Sequence, residues 1–76
     1  MLELIIVYSK DDCPQCEFLK RYLESRGIEY KEVNVTDNFD LISDLKQRTG
    51  FSQLPIVESD KITFSGFRPD QIAKLT

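Results

Sequence analysis

The sequence predicts an α/β fold of order βαβαββα, a four-stranded mixed sheet with three helices, and three observations carry that prediction. An almost unbroken apolar run opens the chain. Two stretches of helical periodicity follow, with a strand-like alternation between them, and two short β-rich runs then lie close enough in sequence to form a hairpin. Strand and helix character in alternation leads to a parallel pair joined by a crossover, and a two-residue connection leads to an antiparallel pair.

Residues 2–8, Leu2 to Tyr8, are apolar and β-branched almost throughout, which suits a central strand covered on both faces. The run breaks at Ser9-Lys10-Asp11-Asp12. Over residues 14–26, Phe18, Leu19, Tyr22 and Leu23 recur at helical spacing, with Pro14 at the first helical position and Gly27 as the stop. Glu17 and Arg21, like Lys20 and Glu24, fall four apart, so the opposite face reads as solvated and ion-paired.

Residues 29–35 alternate as a strand, with Tyr30 (or Ile28), Val33 and Val35 as its apolar members. Thr36, Asp37 and Asn38 are each able to cap a second helix, whose stripe is Phe39, Leu41, Ile42 and Leu45 and whose end falls at Thr49-Gly50. Residues 54–58 form a short strand opened by Pro55, and a turn at Ser59-Asp60 leads into a fourth strand over 61–65. Gly66 breaks that strand. A final helix starts at Arg68-Pro69-Asp70, with Pro69 in its first turn, and reaches Ile72 and Leu75.

Seventy-six residues allow one domain, 1–76, and a composition of 41% hydrophobic and 30% charged residues with three Gly and three Pro excludes a disordered chain. The net charge of −3 leaves no basic stripe for nucleic acid. The opening apolar run lacks a basic leader and a small-residue cleavage site and is too short to span a bilayer, so a cytoplasmic monomer without membrane contact is expected.

The only two cysteines form Cys13-Pro14-Gln15-Cys16 at the junction of the first strand and first helix. A pair at this spacing closes a disulfide within one helical turn, and the first sulfur sits where unpaired helical N–H groups favour a thiolate. Thiol exchange needs an accessible nucleophile and a second thiol to resolve the mixed disulfide. Cys13 is placed for the first role, and Cys16, beside Leu19 and Leu23, for the second. Lys10 favours the thiolate, whereas Asp11 and Asp12 oppose it. As a mere crosslink the pair closes so short a loop that it stabilises by only about 2 kcal/mol, and the reducing cytosol disfavours it. Two cysteines without a histidine fall short of a zinc site. No metal and no bound cofactor are expected, only the redox-active Cys13–Cys16 disulfide.

With CxxC after the first strand, Leu54-Pro55 before the third and Ser65-Gly66-Phe67-Arg68-Pro69-Asp70 after the fourth, the chain resembles the glutaredoxin-like NrdH-redoxins over essentially its whole length. That family carries Trp-Ser-Gly-Phe-Arg-Pro-Asp at the last place, and six of those seven residues match. The resemblance implies a thioredoxin-like fold of glutaredoxin type and cytoplasmic thiol-disulfide oxidoreductase activity. It also implies electrons drawn from thioredoxin reductase and passed to class Ib ribonucleotide reductase or other protein disulfides. By position, Cys13 attacks, Cys16 resolves, and Pro55 is a cis proline lying against the CxxC, with the Leu54 backbone pairing with an extended substrate. Substrate contacts are accordingly expected at Lys10, Pro14, Gln15, Leu54, Pro55, Phe67 and Asp70.

Val7 stands six residues before Cys13, where thioredoxins carry a buried acid, and Phe67 replaces the second glycine of the turn with which glutaredoxins hold glutathione. Phe64 stands where the NrdH-redoxins usually have Trp, and Ser52 where a basic residue often stands. Pro55 and Asp70 keep a weaker glutathione contact open. Two other readings therefore stand beside the electron donor: a glutathione-coupled glutaredoxin, and a thioredoxin-fold binding module whose cysteines form a redox-sensitive docking switch.

Overall fold

In the computed structural model, which describes residues 4–75, the strand β1 (Ile5–Ser9) is the axis on which both faces of the molecule are built. It is followed by α1 (Pro14–Ser25), β2 (Lys31–Asn34), α2 (Phe39–Thr49), β3 (Ile56–Ser59), β4 (Thr63–Ser65) and α3 (Pro69–Ile72), which tightens into a 3₁₀ turn over Ala73–Leu75. The sheet order is β2-β1-β3-β4, with β1 parallel to β2 and antiparallel to β3, and β3 antiparallel to β4. The fold class is thus the one the periodicities predict.

Side chains alternate across a strand, and β1 uses both sides. Ile5 and Val7 pack with Leu19 and Leu23 of α1, Val57 of β3, Phe64 of β4, and Ile72 and Leu75 from the C-terminal segment. Tyr8 points the other way, into a smaller cluster with Val35, Ile56 and Leu45 of α2, flanked by Ile6, Val33 and Leu41. Phe64 is 3% exposed and places its ring in the first cluster.

Several boundaries move for identifiable reasons. β1 extends to Ser9, which pairs with Asn34 and accepts the Val35 N–H at 2.8 Å; Leu4 lies outside the strand and exposed, and Leu2 lies outside the described residues. The hairpin connection shifts from Ser59-Asp60 to residues 60–62, and the fourth strand, expected from 61, begins at Thr63. Ser59 remains in β3, its Oγ accepting the Lys61 and Ile62 N–H groups at 3.2 and 3.1 Å. β3 starts only after Pro55, whose nitrogen has no hydrogen for the ladder.

Of the three cap candidates Asn38 is the one used, its Oδ1 accepting the Leu41 N–H at 3.2 Å, and Gly50 closes α2 in the left-handed region at φ +82°. Two stripe residues are not core. Phe39 is 74% exposed in the first turn of α2, and Phe18 is 55% exposed on α1. The ion pairs expected at four-residue spacing on α1 are replaced by Lys20 bridging Glu17 and Glu32, each at 2.8 Å.

Candidate active site

The CxxC segment lies where β1 hands over to α1. Pro14 occupies the first helical position, so Cys13 becomes the N-cap in extended conformation, and its Sγ accepts the Cys16 N–H at 3.2 Å. Cys13 and Cys16 are joined as a disulfide with Cα atoms 5.2 Å apart. Cys16 is completely buried, one turn into the helix, whereas Cys13 keeps 7% of its surface. Both are more enclosed than an open surface thiol, and the difference between them has the sign predicted from sequence.

Two loops hold this corner in place. The Asp11 N–H donates to Thr36 Oγ1 at 2.7 Å, Asn34 Nδ2 donates to Asp11 Oδ1 at 3.0 Å, and the Thr36 N–H donates to Asn34 Oδ1 at 2.9 Å. The connection into α1 is thereby tied to the end of β2. Beneath it Ser9, 1% exposed, donates its hydroxyl to Glu32 Oε2 at 2.6 Å. Lys20 and then Ser9 hold the Glu32 carboxyl below the usual glutamate range, and Glu17 and Glu32 raise the Lys20 ammonium.

On the β3–β4 side of the CxxC, the Leu54–Pro55 peptide bond is cis and Pro55 is buried. The Pro55 carbonyl accepts the Gly66 N–H at 2.8 Å, and Ser65 Oγ donates to the Gln53 carbonyl at 2.5 Å, so the segment after β4 is fastened to the segment before β3. Gly66, at φ +82°, comes close to the CxxC itself: a β-carbon there would lie 3.8 Å from Gln15 Nε2. Phe67 then stacks edge-on against Phe18 and Tyr22, with ring centroids 4.8 and 5.0 Å apart.

The residues singled out from sequence do not share one surface. Lys10, Cys13 and Pro14 line one open groove between α1 and β2, while Gln15, Pro55 and Phe67 gather with Gly66 on the other side. Leu54 turns its side chain into the cluster beneath α2. Asp70 does not line the groove with Cys13. Its carboxylate is taken by Arg68 at 3.1 Å, which holds it below the usual aspartate range, and by Gln71. Sequence reasoning missed Ser9, Glu32 and Asn34, because their partners are reached across the sheet; for Phe18 the helical stripe was the wrong signal. Among the described residues no cluster of three or more His, Cys, Asp or Glu is placed to hold a metal ion, and no helix is long and apolar enough to cross a membrane.

A CxxC disulfide at a helix N-terminus, together with a cis proline before the third strand of a β2-β1-β3-β4 sheet, defines a thiol-disulfide oxidoreductase of the thioredoxin fold. The glutaredoxin family model matches residues 5–61. The chain is 43% identical over 74 residues to the glutaredoxin-like protein NrdH of Salmonella typhimurium, spanning 93% of this chain and 86% of that protein. It is 35% identical to NrdH of Lactococcus lactis, spanning 95% of this chain and 99% of that one. The solved NrdH-redoxin of Escherichia coli superimposes with a TM-score of 0.82 at 38% identity, covering 96% of this chain and 95% of the other. The chain belongs to the glutaredoxin family, in its NrdH-redoxin branch.

Proposed function

We propose that the chain, as one glutaredoxin-like unit over residues 1–76, is a monomeric cytoplasmic electron donor. It draws electrons from thioredoxin reductase and passes them to class Ib ribonucleotide reductase or another protein disulfide. The observation that carries the chemistry is the unequal placement of the two sulfurs: Cys13 caps α1 with residual exposure, and Cys16 is buried behind it. In the reduced protein the Cys13 thiolate, held by the Cys16 N–H, attacks one sulfur of the partner disulfide, and the other partner sulfur departs as a thiolate and takes up a proton. Cys16 then loses its proton and attacks Cys13 Sγ, releasing the second partner thiol. Two electrons and two protons have passed to the partner, and Cys13–Cys16 is left oxidised.

The choice of reductant is supported by two observations. The relatives are NrdH proteins, and the Escherichia coli neighbour is described as having a thioredoxin-like activity profile. Phe67, braced by Phe18 and Tyr22, stands as a bulky ring where a glutathione-binding turn has a bare glycine. The role of Pro55 and the Leu54 backbone is to align an extended substrate beside Cys13, with Lys10, Pro14, Gln15 and Phe67 around it.

A coupled assay tests the reading. NADPH with thioredoxin reductase is expected to sustain rapid reduction of a model protein disulfide through this chain, and NADPH with glutathione and glutathione reductase is not. The opposite order would make the chain a glutathione-coupled glutaredoxin. Oxidation-dependent partner affinity without turnover in either system would make it a docking switch.

A further inference from the structure

The N-terminal half of α1 stands between two unlike surfaces. Toward β3 and β4 lies the aromatic edge of Phe18 and Phe67. Toward β2 lies a groove of about 750 Å3, open to solvent, with Cys13 in its wall. The charged side chains lining that groove are Lys10, Asp11, Asp12, Glu17, Lys20 and Glu32, so four carboxylates face two ammonium groups. One of those ammonium groups is already committed, because Lys20 lies 2.8 Å from both Glu17 and Glu32. Lys20, and then Ser9, hold the Glu32 carboxyl below the usual glutamate range.

We propose that this groove selects the substrate: the partner disulfide is flanked, on the side that lies along α1 and β2, by lysine or arginine side chains that enter the groove as Cys13 attacks. The inference rests on the dithiol reading above and names its substrate class. Cys13 itself lines the groove, and a surplus of negative charge in a concave site attracts cations and repels anions. Reduction sharpens the effect, since a thiolate at Cys13 adds a further negative charge to the same wall. The reduced protein therefore holds a basic segment more tightly than the oxidised protein, which favours release after electron transfer. Glutathione disulfide, with two carboxylates on each half, is disfavoured by the same field.

The test uses three synthetic peptides that differ only in the residues flanking an internal disulfide: lysine, alanine or glutamate. Each is offered to the pre-reduced protein at low and high salt, and initial rates are read. The lysine peptide is expected to react about tenfold faster than the glutamate peptide at low salt, with the gap closing as salt is added. Glu17→Gln and Glu32→Gln should each narrow the gap, and Asp40→Asn, the same charge change on α2, should leave it. Equal rates for the lysine and glutamate peptides at low salt would overturn the groove proposal. Failure to reduce even the alanine peptide would instead overturn the dithiol reading.

Discussion

Cys13 is 7% exposed and Cys16 fully buried, and the proposed division into attacking and resolving cysteine rests on that difference. Cys16→Ser is expected to leave the attack intact and trap a mixed disulfide at Cys13, visible on a non-reducing gel or by intact mass. Cys13→Ser should trap nothing and abolish turnover. Retention of turnover by either variant would refute the assignment.

Glu32 is the other residue whose environment makes a prediction. Its carboxyl lies below the ordinary value of 4.5 because Lys20, and then Ser9, favour the charged form. The unfolded chain therefore binds this proton more readily. The resulting stability is present above pH 4.5 and is lost as the pH falls through the lower folded value. Because the side chain is 37% exposed, solvent screening limits the contribution to at most about 1 kcal/mol. Urea midpoints of the wild type and Glu32→Gln should differ near neutral pH and converge in acid; a gap that stays constant with pH would remove the effect.

At the scale of the element, α2 shows how local chemistry sets a boundary. Gly50 ends the helix at φ +82°, and nothing lies within 4 Å of where a β-carbon would stand, so the conformational cost is all that a side chain there would meet. Gly50→Ala should destabilise the protein by about 1 kcal/mol, read as a lower urea midpoint at unchanged slope. Stop and cap signals of this kind act over a few residues, which is why the ends of α1 and α2 were legible within a residue. Helical periodicity proved a poorer guide to burial. Phe18 and Phe39 fall on apolar stripes, but whether a ring on a stripe meets anything depends on elements elsewhere in the chain.

At the scale of the whole molecule, a small domain covers the two faces of its sheet with separate clusters, one under α1 and α3 and a smaller one under α2. Among the described residues the second has four buried members. Leu45 is the fully buried anchor that α2 contributes to it. Leu45→Ala is expected to cost about 2–5 kcal/mol, a large share of the total for a domain this size, and thermal unfolding should show a correspondingly large drop in midpoint. A fall no greater than that of a surface substitution would mean that α2 is not held by this contact.

The order of elements, the CxxC at a helix start and the proline before the third strand could all be read from the chain, because periodicity, capping and ring chemistry act between residues close in sequence. Tertiary structure alone decided that Lys20 bridges to Glu32 rather than Glu24, that Ser9 is buried against a carboxylate, and that Phe18 leaves the core to meet Phe67. These contacts join residues brought together only when β2 lies beside β1 and the segment after β4 folds back over α1. The sequence determined that this protein carries a dithiol at a helix N-terminus. The packing around that helix decided what surrounds it, a charged groove on one side and an aromatic edge on the other.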